Sequence, residues 1–486
     1  MQNRSELKRE KEGPLLYGLS LVLIVLGIKL VIVAGFGSSV PFWDQWDAEV
    51  DLLYRPFLEG SLRITDLFAL HNEHRIFTSR VLGLGLFLIN KGVFDPMLEM
   101  YVNAILHVGA LTVLLFLMQK GLQGSMKLLL FAFATILFAV PFGRENTLAG
   151  FQSQFYFLML FSFLLLWSAH RLESAPLKWI AVVVLAAFLS VFSMASGALS
   201  IAAAAGLLFV RWLAGIDRKA PSFLLFFALL VAFVLAVKST PVISYHAGLR
   251  AQDPLEFTIA VVSATGGGIL YLPIAIFMFR QLIRPPSADS HSWFIFSLGL
   301  WMFGQILAIA YGRGDGILAS RYLDLFAVGI LLNAYCLMLL INEGIRPVLA
   351  RNCTVFWMLL VITGLGAFTP KIMRDIEEKK MVTIRNQENV NGYLMTGNVA
   401  FLQKDAYSEI PYPDSAKLKS LLDNPTIAGI LTPAVNNHNT NRGLKLYTDK
   451  SRKKLMLAGS LLLFYGAGLL LLITFWQAGK EYEKEA

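Results

Sequence analysis

Hydrophobic residues along this chain fall in long blocks that are separated by short charged connections. A segment of about 20 apolar residues crosses the hydrocarbon core of a bilayer. Twelve blocks are candidate spans by this measure, and they lie near 14–36, 96–118, 127–142, 154–170, 178–194, 196–213, 221–238, 258–280, 291–312, 320–342, 354–370 and 455–476. The pattern therefore predicts an all-α polytopic membrane protein with about 12 transmembrane helices.

The composition excludes the main classes of soluble protein. Of the 486 residues, 56% are hydrophobic and 15% are charged, whereas soluble domains are about 45–50% apolar and about 25% charged. A soluble globular enzyme, a disulfide-stapled secreted domain and a disordered regulator do not fit. The two cysteines, Cys336 and Cys353, lie in or beside apolar blocks. They indicate no disulfide framework, zinc cluster or catalytic thiol.

Basic residues in the short connections indicate which side of the membrane each connection faces, because Lys and Arg stay in the cytoplasm. With the N-terminus inside, the cytoplasmic segments hold seventeen Lys and Arg, and the short outer connections hold three to five. Only Arg452, Lys453 and Lys454 run against this bias, directly before the last span, and long extramembrane segments are largely exempt from the rule. The net charge of +9 is therefore attributed to basic residues that orient the chain in the membrane. No nucleic-acid partner is expected.

These spans divide the chain into five regions. They are a cytoplasmic tail (1–13), a transmembrane core with an external loop at 37–95 (14–370), an extramembrane, periplasmic region (371–454), the last transmembrane helix (455–476) and a second cytoplasmic tail (477–486). The stretch Ile76–Asn90 is too short to cross and is interpreted as a helix in the outer interface. Four prolines between Ile410 and Pro433 predict that 371–454 is a small, turn-rich α/β region.

The external loop opens with two carboxylates, Asp44 and Asp47, close to the end of the first span. Apolar residues then recur every three or four positions, which is typical of an amphipathic helix on the membrane surface; they are Trp46, Val50, Leu53, Tyr54 and Phe57. Asp44 directly precedes this helix, so its carboxylate either caps the helix or does chemistry. Both interpretations stay open from the sequence.

A run of polar residues follows at His71-Asn72-Glu73-His74-Arg75. Such a run between two membrane-hugging helices is unexpected for packing, and we interpret it as a strip that binds an acceptor or a phosphate. His and Glu are also metal-ligand types. The spacing is not that of a zinc hydrolase, so a divalent cation stays only a possible cofactor, with Asp47, His71 and Glu73 as its candidate ligands.

Other outer connections add polar residues on the same side. Arg144 and Glu145 lie between the third and fourth spans, and Ser244-Tyr245-His246 and Arg250 lie between the seventh and eighth. Arg313 precedes the tenth span, and Arg321 and Tyr322 begin it. The outer connections hold most of the His, Asp and Glu, which predicts an active face that opens outward. Four polar residues within spans are expected to face a cavity or a partner: Lys29, which snorkels outward or contacts a lipid phosphate, and His107, Gln305 and Asp324.

The chain resembles the GT-C superfamily of membrane glycosyltransferases. The resemblance covers the hydropathy of most of the chain, and its specific part is Phe42–Glu49, His71–Arg75 and, weakly, Arg321-Tyr322. It implies a polyprenyl-phosphate sugar donor, transfer with inversion, and a catalytic carboxylate at Asp44. The chain departs from relatives that have adjacent acidic residues in this loop, since Gln45 and Trp46 separate Asp44 from Asp47.

The sequence and the resemblance together predict a glycosyltransferase of the bacterial inner membrane. It would move a hexosyl, pentosyl or similar group to an extracytoplasmic glycan, lipid or protein. Asp44 would act as base and Asp47 would support it or bind a cation. The acceptor and the donor phosphate would be bound by the remaining polar residues: His71, Glu73, His74, Arg75, Arg144, Glu145, Arg313, Arg321 and Tyr322.

Two other functions fit the same hydropathy. A transporter or flippase for a lipid-linked glycan is disfavoured because the halves of the chain show no similarity and few charges lie at mid-membrane depth. A glycan polymerase or ligase would use the same lipid-linked substrates. It would place the catalytic residues in the late outer loops, at Arg250 and Arg313.

Overall fold

A computed structural model describes residues 4–174, 176–406, 408–440 and 443–485. The predicted all-α polytopic fold class is confirmed. The sixteen main helices of these residues are α1 Arg4–Phe36, α2 Phe77–Ile89, α3 Pro96–Met118, α4 Ser125–Ala139, α5 Ser153–His170, α6 Pro176–Val191, α7 Ala198–Leu213, α8 Ala220–Lys238, α9 Pro254–Ala264, α10 Leu272–Ile283, α11 Ser292–Arg313, α12 Ser320–Asn342, α13 Pro347–Thr396, α14 Ser415–Leu422, α15 Pro425–Ile430 and α16 Asp449–Glu485. Strands β1 Leu70–His71 and β2 His74–Arg75 form one antiparallel hairpin.

Within the described residues, nine helices are long and apolar enough to cross a membrane, and a bent pair makes a tenth candidate. The remaining two predicted spans, 127–142 and 178–194, correspond to the shorter helices α4 and α6. Helix α4 still runs the length of the bundle. The backbone N–H of Gln123, before α4, donates to Asn342 Oδ1 at the end of α12. At the other end, an added Cβ at Gly143, after α4, would clash with the carboxylate of Asp324 near the start of α12.

The predicted span 258–280 is broken rather than continuous. Helix α9 and the segment Ile269–Ile283 meet at an angle of 59°, because three successive glycines, 266–268, all adopt left-handed φ values. The pair nevertheless connects opposite ends of the bundle. Ala251 N–H donates to Tyr311 O at one end, and Arg280 pairs with Glu343 at 2.7 Å at the other.

The predicted membrane-surface helix is instead a buried π-helix, Gln45–Tyr54. Its apolar face, which includes Trp46 and Leu53, is fully buried against side chains of the C-terminal region such as Leu418 and Leu431. An amphipathic pattern requires an apolar partner but does not specify lipid. Region 371–454 supplies that partner, so the prediction of lipid contact was wrong.

Region 371–454 begins inside a single helix, since α13 continues for 50 residues from Pro347 to Thr396. The rest of the described region contains α14, α15, a short 3₁₀ turn and one isolated bridge between Leu431 and Phe94. The predicted α/β character is therefore not observed. Its proline-flanked apolar segments form turns and the start of α15, where Pro425 suits the first helical turn.

One residue of the basic triplet before the last span, Arg452, has a structural role. Arg452 donates from Nε to Ala34 O and from Nη2 to Gly37 O, at 2.9 and 2.7 Å. These carbonyls lie at the C-terminal end of α1, where a cation is favoured by the helix dipole. Helices α1 and α16 also approach closely, because a Cβ at Gly27 would lie 2.6 Å from Gly459 O. Arg452 thus helps to join the first and last spans.

Candidate functional site

A cavity of about 700 Å³ opens where the external loop meets the connections after α8 and α11; we call it the site cavity. Eight of the eleven predicted site residues line it, although they come from three separate segments of the chain. These eight are Asp44, Asp47, His71, Glu73, His74, Arg313, Arg321 and Tyr322. The structure therefore brings most of the predicted site residues to one place.

Asp44 does not cap the helix that follows it. Its side chain makes no capping hydrogen bond and its backbone is already helical. Its Oδ1 lies 3.3 Å from His71 Nε2, with 43% of the Asp44 side chain exposed to the cavity. Trp43, directly before it, has a left-handed φ of 52°, which costs energy for a bulky residue. The chain is thus held in an unusual conformation where Asp44 faces the cavity.

Asp47 is already bound by two side chains of the C-terminal region. Tyr412 donates its hydroxyl to Asp47 Oδ2 at 2.7 Å, and Lys417 Nζ lies 3.1 Å from Oδ1. Burial and the Asp47 carboxylate raise the pKa of Tyr412, so its hydroxyl stays protonated and donates. Asp47 therefore ties the external loop to region 371–454.

Glu73 joins four segments around the cavity. One oxygen lies 3.1 Å from Arg313 Nη2 and the other lies 2.7 Å from His246 Nδ1. Arg313 in turn donates from Nε to Tyr322 OH at 2.7 Å. Burial opposes the charge on Glu73, but the neighbouring positive groups outweigh it and lower its pKa. Glu73 is thus a half-buried anion that organises the cavity wall.

His74 also belongs to the cavity wall, and its side chain is neutral. Burial lowers its pKa to about 4, so the ring is uncharged at neutral pH. Its Nδ1 accepts a weak hydrogen bond from Ala195 N–H at 3.4 Å, which connects the hairpin to the turn after α6.

Three predicted site residues lie outside the cavity lining. Arg75 donates to Ser239 O and Oγ at 3.2 and 3.3 Å. Arg144 pairs with Asp375 at 2.9 Å, and Glu145 lies 3.7 Å from Arg321. These contacts connect the outer segments to one another, while Glu145 still reaches the rim through Arg321.

The residues do not fit a metal site. In the part of the chain that the structure describes, no three His, Cys, Asp or Glu side chains are grouped so that they could hold an ion. Of the candidate ligands, Asp47 is bound by Lys417 and Glu73 by Arg313. Each carboxylate already has a positive partner, so we derive no step that uses a cation.

Several lining residues were not among the predicted site residues. His246 was visible only as ordinary polarity in an outer connection, and Arg250 was named only for the alternative function of a polymerase or ligase. Tyr412 comes 365 residues after its partner Asp47, and no local pattern indicates such a contact. Aromatic and amide side chains complete the wall, among them Tyr245, Tyr311 and Gln305.

A buried pair of carboxyl groups supports the helix that follows Asp44 and carries Asp47. Gln45 Nε2 donates to Glu49 Oε2 at 3.0 Å and to Glu99 Oε2 at 2.8 Å, and Tyr54 donates to Glu99 Oε1 at 3.1 Å. Burial raises the pKa of Glu49 from 4.5 to about 8. The pair therefore keeps a proton at neutral pH, which avoids two negative charges side by side.

This shift predicts a pH dependence of stability. A carboxyl with a higher pKa in the folded state binds more protons when folded, so stability falls as the pH rises from about 5 to about 8. A Glu49→Gln variant cannot ionise there and should lose part of this dependence. Thermal unfolding of the purified protein across this range measures it. Glu59→Gln, an exposed change in the same loop, should follow the wild type, and an equally steep dependence in Glu49→Gln would contradict the account.

A second polar cluster lies inside the helical core behind the cavity. Lys29 is only 6% exposed and donates to Thr147 Oγ1 at 3.0 Å, so it neither snorkels nor reaches a lipid phosphate. Asn146 Nδ2 donates to Asp324 Oδ2 at 2.9 Å and to Arg321 O at 2.8 Å. The cluster fixes the first turn of α12, which carries Arg321 into the cavity.

Comparisons with known proteins give similarity in structure only. No protein-family model and no curated protein matches the chain. Among solved structures, the chain is similar to the archaeal oligosaccharyltransferase AglB from Archaeoglobus fulgidus in complex with an inhibitory peptide and a dolichol-phosphate, at 14% identity and a TM-score of 0.49, over 91% of this chain and 64% of that one. The apo form of the Archaeoglobus fulgidus oligosaccharyltransferase gives 13% identity and a TM-score of 0.48, over 91% and 64%. The chain spans less than two thirds of the length of these proteins.

Proposed function

We propose that this integral membrane protein is a glycosyltransferase that moves a sugar from a polyprenyl-phosphate carrier to an acceptor hydroxyl or amide in the site cavity. The observation that carries the proposal is the placement of an exposed carboxylate, Asp44, in a cavity that also holds arginines and lies at one end of a membrane-spanning bundle. A lipid-linked donor has its tail in the membrane and its phosphate and sugar at the membrane surface. Its site therefore needs charged and polar groups at one end of the bundle.

Asp44 is the proposed base. It takes the acceptor proton as the acceptor atom attacks C1 of the sugar, while the bond from C1 to the phosphate oxygen breaks and the lipid phosphate leaves with the electron pair. One displacement of this kind inverts the configuration at C1. His71, 3.3 Å from Asp44, holds the carboxylate in position.

Arg321 is the proposed phosphate ligand. Its side chain is 42% exposed and its contact to Glu145 is loose, at 3.7 Å. Arg313 is less available, because it is bound to Glu73 and Tyr322, and it serves as a positioning residue. A guanidinium at the rim would stabilise the negative charge that develops on the departing phosphate.

The other lining groups suit a sugar or a polar acceptor. Tyrosine rings offer flat apolar faces, and the amides of Gln152, Gln154 and Gln305 offer donors and acceptors. The charge bias of the short connections supports an outward-facing cavity in a bacterial inner membrane. The acceptor is then an envelope glycan, lipid or protein.

Mass spectrometry of cell-envelope glycans, with and without the protein, tests this function. We expect one hexose, pentose or amino sugar to be missing without it and restored when it is supplied again. If the mature glycan is instead lost as a whole and complete lipid-linked glycan accumulates on the cytoplasmic side, the protein is a transporter. Accumulation of lipid-linked single repeat units would identify a polymerase, and accumulation of complete lipid-linked glycan on the outer side would identify a ligase.

A further inference from the structure

We propose that a second cavity, at the junction of helices α1, α13 and α16, binds the phosphate headgroup of an anionic membrane lipid. This junction cavity has a volume of about 350 Å³ and shares no lining residue with the site cavity. It is a binding site separate from the one proposed for sugar transfer, so the two proposals are tested independently.

The position of the junction cavity matches the depth of lipid headgroups. Its floor is the end of α1, residues 34–38, directly where a candidate membrane span ends at Phe36. Its walls are the stretch of α13 that follows its apolar part and the first turns of α16. Apolar side chains of Phe36, Ile384 and Met456 lie beside polar ones of Thr383 and Gln387, an arrangement suited to an amphiphile.

The charge of the junction cavity is positive. Lys380, Arg452 and Lys453 line it together with one acidic residue, Asp449. The N-terminal end of α16 lies there too, and its dipole adds to the positive potential. Arg452 is held by the carbonyls of α1, so it is fixed in place.

Two of these charges lack a carboxylate partner within the described part of the chain. Neither Lys380 nor Lys453 makes an ion pair with any of the residues that the structure describes, and Lys380 Nζ lies 5.3 Å from the ring of Phe36. The neighbouring Lys379 faces the other side of α13, where it lies 3.1 Å above the ring of Phe42. Unpaired lysines beside an interfacial cavity attract anionic lipid.

Native mass spectrometry of the delipidated full-length protein tests this proposal with phosphatidylglycerol and phosphatidylcholine as probes. The wild type should bind phosphatidylglycerol more tightly, and Lys380→Gln/Lys453→Gln should bind it about tenfold more weakly. Lys404→Gln/Lys454→Gln removes the same charge from residues that do not line the cavity, and it should bind like the wild type.

Three results would overturn the proposal. They are equal phosphatidylglycerol binding by the two double variants, no preference of the wild type over phosphatidylcholine, and full competition by millimolar inorganic phosphate, which would identify a site for small anions. Because Gln substitution could affect folding, the thermal unfolding of each variant is compared first. Lys380→Arg/Lys453→Arg keeps the charge and should retain the lipid.

Discussion

An Asp44→Asn variant is expected to lose sugar transfer by about 10²–10⁴-fold, the usual contribution of a general base. The amide cannot accept the proton of the acceptor, while its size and its contact with His71 are nearly unchanged. Envelope glycans from cells that carry only this variant should lack the transferred sugar, although the protein is present in the membrane at its normal level.

Asp66→Asn is the matched control for this experiment. Asp66 belongs to the same loop, pairs with the exposed Arg63 at 3.0 Å, and does not line the site cavity. It should transfer sugar normally. Asp47→Asn should show a smaller loss, because Asp47 acts by holding Tyr412 and Lys417. Normal transfer by Asp44→Asn together with a complete loss in Asp47→Asn would move the base to Asp47.

A Glu73→Gln variant is expected to reduce transfer by about one to two orders of magnitude, since a hydrogen bond to a charged group contributes about 1.5–3 kcal/mol. The change leaves Arg313 without its carboxylate partner and weakens the contact to His246. Because Arg313 holds the hydroxyl of Tyr322, the position of Tyr322 in the cavity wall is then no longer fixed. Rates of sugar incorporation and the unfolding temperature should both fall.

The control for Glu73 is an ion pair of similar length at the opposite end of the bundle. Glu343→Gln breaks the contact to Arg280, which is 2.7 Å long, and should leave transfer unchanged. Glu73→Asp keeps the charge but shortens the side chain, and it should recover part of the activity. Equal losses in Glu343→Gln and Glu73→Gln would indicate a general effect on stability and contradict the positioning role.

The sequence predicts the helices well because the period and length of apolar blocks reflect the bilayer directly. It does not predict the break in 258–280, since hydropathy averages over three glycines whose effect is on backbone angles. It also does not reveal that α13 continues past 370, because the polar part of a long helix resembles a loop. The π-helix at Gln45–Tyr54 was predicted as amphipathic, but its partner was misassigned.

The candidate site was predictable where polar residues are consecutive and less so where they are distant. His71 to His74 stand out as a run, and Asp44 and Asp47 stand out by their place after the first span. Their partners in the C-terminal region, Tyr412 and Lys417, follow more than 360 residues later. Only tertiary structure brings such residues together.

Cysteine labelling from outside the cell tests the central claim, that the site cavity faces away from the cytoplasm. Ser244→Cys places a thiol at an exposed position beside Tyr245 of the cavity, and Ser287→Cys places one on the exposed connection between α10 and α11. In a background with Cys353→Ser, a membrane-impermeant maleimide should label Ser244→Cys in intact cells and Ser287→Cys only after permeabilisation. The opposite pattern would place the carboxylates in the cytoplasm and contradict the proposed mechanism.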